Sequence, residues 1–247
     1  MALEADVIDI DGTVDVSGNN TLTGGGGGSG GSLKLTANRF IGRGKLLSDG
    51  GNAANYGGGG AAGRISIHTN ESKFSGEISS KGGASFTEPG GAGTIYQIIK
   101  TGNKSFVSLT IDNGGQNPVD NYLVSDNQYD NGGKTWIPIS SDKDLLYDEL
   151  KLRNGAHASF VSTIKRDVFI EMLTGDNKGM LHVKSGDHVI VKSASTEFPS
   201  WFHVYEEGVL SLPKVVNLVT IQHSQLVIDG KLGGIEDIRI GPDITLC

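Results

Sequence analysis

The acidic residues Asp120, Asp126 and Asp130 share one turn-rich stretch and offer hard oxygen ligands of the kind Ca²⁺ takes. They lack EF-hand spacing, so solvated turn aspartates are the plainer reading; Ca²⁺ is the one cofactor they suggest, and otherwise none is expected. Gly132-Gly133-Lys134-Thr135 ends like a phosphate-binding loop. That loop needs another glycine where Gln128 stands, and it needs a strand before it and a helix after it, so no nucleotide site is expected. His182 and His203 occupy matching positions in two strand-like runs. The expectation is a solvent-facing ladder, with Lys151 one coil earlier and no third metal ligand. His188 reads as a lone surface histidine. Asp15, Glu77, Lys45 and Lys34 are the charges that an outer groove could use as a carboxylate pair or a basic catalyst. They form no constellation beyond solvating charge, so the chain is not expected to be an enzyme.

Sugar recognition would require exposed aromatic rings. Tyr56, beside a glycine run, and Trp136, in the turn-rich stretch, are the candidates, whereas Trp201 and Phe202 read as core. Asn19, Asn70 and Asn103 head N-x-S/T sequons and are candidate glycosylation sites.

A ladder of glycines must position these groups. Gly12, Gly44 and Gly76 recur at a spacing of 32, as do Gly18, Gly50, Gly82 and Gly114. Val14, Leu46 and Ile78 keep the same beat, and Phe40, Phe74 and Phe106 follow it within two residues. A fixed period in this range signals stacked repeats. The 38 glycines carry no Gly-X-Y period and there are only 6 prolines, which excludes collagen. Hydrophobic content of 36 % is low, yet it falls in short periodic runs, which argues against disorder. The net charge of −7 disfavours nucleic acid and anionic membranes, and no apolar run is long enough to span a bilayer. Residues 1–10 do not read as a signal peptide. The lone cysteine, Cys247, allows no internal disulfide and is expected to belong to a following segment.

Residues 1–115 read as coils of about three short strands. Leu33-Lys34-Leu35, Ile65-Ser66-Ile67 and Thr94-Ile95-Tyr96-Gln97-Ile98 open successive copies, and Leu109-Thr110-Ile111 is the shifted last strand of the third. The glycine runs, Gly24 to Gly31 and Gly57 to Gly60, are expected to protrude as loops; packed polyproline II strands are the alternative. Residues 116–148 read as a turn-rich excursion. Residues 149–247 carry a compact pattern of coils of about 20 residues, continuous with the first and reaching Leu246 without a visible cap. There Leu150–Gly155–Phe160 is matched to Leu181–Gly186–Val191 and to Phe202–Gly208–Leu212.

The runs GGSLKL…GRGKLLSDGG and AGRISI…FSGEISSKGG…GGAGTIYQI resemble glycine-rich parallel β-helix modules of large secreted or surface proteins, and are broadly similar to the pectin-lyase-like superfamily and to adhesins. The resemblance implies an all-β fold: a parallel β-helix, or β-solenoid, right-handed, with glycine-rich loops. It implies a structural or adhesive role outside the cell, as spacer, scaffold or matrix module. The partners expected are flanking domains of the same chain, the chain itself or surface glycans. The alternative is a carbohydrate-binding or polysaccharide-processing β-helix.

Overall fold

A computed structural model describes residues 1–54, 56–116, 133–138, 145–161, 167–176, 178–195, 201–213, 215–217, 225–234, 237–239 and 245–246. Every regular element among them is a β-strand. The chain forms two compact units, Met1–Thr135 and Trp136–Cys247.

In the first unit, β1 (Ala2–Asp9), β3 (Ser32–Ile41), β5 (Arg64–Ser72) and β7 (Thr94–Thr101) pair in parallel. A second parallel sheet is made of β2 (Thr13–Asp15), β4 (Lys45–Leu47) and β6 (Glu77–Ser79). Like sits on like. Leu3 pairs with Leu35 and Leu35 with Ile67, while Val14, Leu46 and Ile78 form one row. Alternation along each strand turns Leu33, Leu35, Ile65, Ile67 and Ile95 into the core and leaves Lys34, Ser66 and Tyr96 on the opposite face. Phe40 is buried and stacks on Phe74 at 4.5 Å between ring centres.

The third repeat departs from expectation. β8 (Lys104–Asp112) returns antiparallel along β7, from Thr101 opposite Lys104 to Ile95 opposite Thr110. Leu109–Ile111 is therefore one arm of a hairpin and not the last strand of a coil. Phe106 leaves the aromatic row and is 46 % exposed.

The glycine runs correct the expectation of loops. Gly28 N–H donates to Asn19 O and Gly31 N–H to Val16 O, so two segments of one coil run antiparallel with bonds three residues apart. The next coil repeats this, with Gly60 to Gly51 and Gly63 to Ser48. Between coils, Gly27 donates to Gly58 and Gly30 to Ala61. Hydrogen bonding at every third residue is the threefold repeat of a polyproline II-type strand, the packed alternative. None of the glycines from Gly18 to Gly31 has positive φ. A side chain is excluded there by proximity: a Cβ at Gly18, Gly27, Gly51 or Gly60 would lie closer than 3.0 Å to a neighbouring backbone carbonyl.

The second unit has a parallel sheet of β10 (Leu145–Arg153), β12 (Asp167–Gly175), β14 (His188–Ala194), β16 (Val209–Ser211) and β19 (Lys231–Gly233). A second contains β11 (His157–Val161), β13 (Met180–Val183), β15 (Trp201–Val204), β18 (Gln225–Ile228) and β21 (Thr245–Leu246). β17 (Val215–Asn217) pairs with β20 (Asp237–Arg239). Leu150, Phe160, Val168, Leu181, Phe202 and Leu210 are fully buried. Two assignments change here. β12 was not expected as a strand. Leu150 pairs with Leu173, and Leu181 pairs with Ala158, so Leu150–Gly155 and Leu181–Gly186 turn different corners. Within 116–148 the described residues include β9 (Lys134–Pro138) and the start of β10.

Candidate functional site

The outer face of the sheet built by β1, β3, β5 and β7 gathers the most polar chemistry of the first unit. Glu4, Thr36, His68 and Ile98 stand in one row across the four strands. Asp6, Asn38 and Asn70 make a second row, in which Asn70 Nδ2 donates to Asn38 Oδ1 at 2.8 Å and Asn38 Nδ2 donates to Asp6. These rows and Lys100 line an open cleft of about 540 Å³. His68 Nε2 lies 3.1 Å from Ser66 Oγ, and its ring meets Tyr96 edge-on. Partial burial, then the positive fields of Lys34 and Lys100, hold the His68 imidazole below its usual range. Burial likewise pushes the Tyr96 phenol up. The cleft thus offers an imidazole held in its neutral form, hydroxyl and amide groups, the Glu4 and Asp6 side chains and the Lys100 amine. That set suits hydrogen bonding to a polyhydroxylated ligand.

The described candidate residues are divided between the two units. Tyr56 is 90 % exposed at the tip between two glycine segments of its coil. Trp136 belongs to the other unit and is half-buried, with Lys184 Nζ 5.2 Å from its ring centre. Asp120, Asp126, Asp130 and Cys247 lie outside the described residues. Lys134 and Thr135 are in strand β9, and Thr135 Oγ1 donates to Ala92 O at 2.6 Å, which is no phosphate-loop geometry. Asn19, Asn70 and Asn103 are all exposed; Asn103 caps the turn of the β7–β8 hairpin, whereas Asn70 sits inside a paired strand. Lys45 is bonded to Glu77 at 2.6 Å across adjacent coils, and Asp15 accepts from the Ser17 amide.

The histidines require correction. His182 and His203 do share a register, but His182 is fully buried, and Lys151 is not its neighbour. Its Nε2 lies 3.3 Å from Nδ1 of buried His157, and its Nδ1 lies 3.3 Å from the Tyr205 hydroxyl. Tyr205 stacks on His203 at 3.8 Å, and Lys184 Nζ sits 4.3 Å from the Tyr205 ring. Both faces of β13 are buried, which the alternation of Leu181 and Val183 with His182 does not reveal. His188 bridges coils, between Asp167 Oδ1 at 3.1 Å and Ser211 Oγ at 3.2 Å. Among the described residues no three His, Cys, Asp or Glu side chains converge as a metal site.

Three features were not anticipated. Asp187 is buried and its Oδ2 has no hydrogen-bond partner among the described residues; desolvation lifts its carboxyl to about 6 against the weaker pull of Lys184. Asn113 is fully buried, accepts from Gly82 N–H at 2.9 Å and donates to Gly90 O. Leu22 and Phe86 are as exposed as Tyr56, near the tips of the neighbouring coils though Leu22 lies in the row of Ala54 and not of Tyr56. No protein-family model, curated protein or solved structure matches the chain.

Proposed function

We propose that the chain is a non-enzymatic structural or adhesive module: a right-handed parallel β-helix serving as spacer or scaffold in a larger extracellular protein, at the cell surface or in the matrix. Its partners on this reading are flanking domains of the same chain and, through its outer faces, itself or surface glycans. The register carries the reading. Strand after strand pairs in parallel with its equivalent one coil on, from Leu3–Leu35–Ile67 in one unit to Val168–Val189–Leu210 in the other. Such a stack has one way to assemble, each coil covers its neighbour's backbone, and a parallel crossover favours the right-handed sense. The outer charges support it too: Lys45–Glu77, Arg39–Glu71 and Lys192–Glu171 tie coil to coil.

The test is bead adhesion combined with an activity assay. Beads coated with the protein should adhere to one another or to glycan-coated surfaces, and the soluble protein should release no new chain ends from pectin, xylan or hyaluronan. Chain cleavage would overturn the non-enzymatic reading, and inert beads would remove adhesion and leave the spacer. The second reading, a carbohydrate-binding β-helix, is favoured by the polar cleft beside His68.

A further inference from the structure

We infer that the cleft crossing β1, β3, β5 and β7 binds a zwitterionic glycan, with an amino sugar at the Glu4 and Asp6 end and an acidic sugar at the Lys100 end. The inference rests on the carbohydrate-binding reading and names its ligand class.

The cleft is built by one irregularity repeated in successive coils. The in-and-out alternation slips at the same place in each: neither Asp6 nor Val7, neither Asn38 nor Arg39, and neither Asn70 nor Glu71 is buried. The ladder skips the row of Asp6, Asn38 and Asn70, passing from Ala5–Ala37–Thr69 to Val7–Arg39–Glu71. Thr69 Oγ1 stitches the slip, 3.2 Å from Asn38 O and 2.8 Å from Glu71 O. Breaks of this kind re-aim side chains and gather beside binding sites. Here they bring the Asn38 and Asn70 amides alongside Thr36 and His68 in one cleft of about 540 Å³.

The charges are sorted along that cleft. Acidic Glu4 and Asp6 stand on its first strand and basic Lys100 on its fourth. The two strands between carry Thr36, Asn38, Asn70 and the neutral His68 imidazole. Elsewhere on the first unit, opposite charges of neighbouring coils meet: Lys45 with Glu77, Arg39 with Glu71, and Lys81 with Asp49. In the cleft they stand three strands apart, about 14 Å at the usual strand spacing, too far for an ion pair. Among the described residues neither Glu4 nor Lys100 joins an ion pair, and Asp6 is bonded to Asn38 alone.

A ligand therefore meets acid at one end, base at the other and hydrogen-bonding groups between. An amine suits the first end and a carboxylate the second. Each end repels the wrong sign, so a uniformly acidic or uniformly basic chain fits poorly. The hydroxyl, amides and imidazole between them match hydroxyl-rich rings. A peptide fits less well. β3 and β5 are paired on both edges, so the floor has no free main chain for an added strand, and its apolar lining is only Ala5, Ala37 and Ile98.

The experiment is calorimetric titration with four tetrasaccharides: glucosamine alternating with glucuronate, its N-acetylated and hence acidic counterpart, the basic glucosamine tetramer and the neutral N-acetylglucosamine tetramer. The wild type should bind the zwitterion about tenfold more tightly than the other three, the worth of one charge-assisted contact. Lys100→Met should erase the preference over the basic tetramer, and Glu4→Gln with Asp6→Asn the preference over the acidic one. All three positions are exposed, so melting temperatures should not change. The inference is overturned by a zwitterion bound no more tightly than the rest, by substitutions that leave both preferences intact, or by tighter binding of a lysine–glutamate tetrapeptide. The two claims separate cleanly. If the neutral tetramer binds as tightly as the zwitterion and His68→Ala weakens both, the carbohydrate-binding reading stands and the zwitterion is wrong; if no tetrasaccharide binds, both fall.

Discussion

Replacing Gly60 by alanine should damage the first unit far more than replacing Gly24 by alanine. Neither glycine has a positive φ, so the comparison isolates space from backbone conformation. A Cβ at Gly24 meets nothing within 4 Å, whereas at Gly60 it would meet the backbone carbonyl of Gly28 closer than 3.0 Å. Backbone cannot rotate away as a side chain can, so the segments must part. Three hydrogen bonds run through that point: Gly60 N–H to Gly51 O, Gly51 N–H to Gly28 O and Gly83 N–H to Gly60 O. Each contributes about 1 kcal/mol net and costs about 1–3 kcal/mol when its buried groups are left unpaired, so Gly60→Ala should lose ~3–6 kcal/mol. Gly24→Ala should be neutral or gain up to ~1 kcal/mol by restricting the unfolded chain. Urea titration followed by circular dichroism reads the global difference, and amide exchange at Gly51, Gly60 and Gly83 reads the local one. Equal midpoints with equally unprotected amides would refute the packing argument and restore the glycine runs as loops.

Asp187→Asn should stabilise the second unit in a pH-dependent way. The folded carboxyl titrates at about 6 against an ordinary 3.8, so its contribution is fully present below about pH 4 and is lost as pH rises through 6. The variant should therefore match wild type at low pH and exceed it by up to ~3 kcal/mol at neutral pH; a pH-independent difference would sink the assignment. Asn113→Ala strips the partners from Gly82 N–H and Gly90 O in a buried site and should cost ~2–4 kcal/mol in denaturation, an outcome contradicted by a change under ~0.5 kcal/mol. Phe160→Ala empties a fully buried position and should cost ~3–5 kcal/mol. Expressed in a glycosylating host, the protein should lose one glycan's mass on Asn103→Gln and none on Asn70→Gln, because Asn70 is held in a strand with its amide donated to Asn38; peptide mapping that finds a glycan at Asn70 contradicts this.

The spacing of 32 in the first unit was legible because one physical demand recurs at each rung. Where backbone packs on backbone only glycine fits, and where Leu46 covers Val14 only an apolar side chain serves. What glycine was for was not legible. A glycine needed for turning and one needed for clearance are the same letter, and only the three-residue rhythm of the hydrogen bonds separates them. In the second unit the same ambiguity misplaced a coil. Gly155 and Gly186 both adopt positive φ, near 78° and 82°, but they turn different corners. β12 escaped notice because Glu171 interrupts its apolar residues and no glycine pair marks its start. The buried histidines escaped because period-two alternation predicts which face a residue takes, not whether that face is covered.

The two units solve the corner by different means, and this bears on where function can sit. In the second, left-handed residues such as Asn154 and Glu207 bend the chain tightly, and equivalent residues of successive coils lie close together in sequence, as with Val168 and Val189. In the first, the corner is replaced by two antiparallel glycine segments, and Leu35 meets its partner only at Ile67. The added backbone brings almost no side chains to the core, since a Cβ there has no room. What it adds is a tip, carried away from the hydrophobic core, held by backbone hydrogen bonds and free in its side chain. A residue at such a tip can change without disturbing the packing beneath it, and the packing fixes its place in the row. Separation of the two constraints is what a recognition surface requires. Leu22, Tyr56 and Phe86 occupy such positions, each exposed at the tip of its coil.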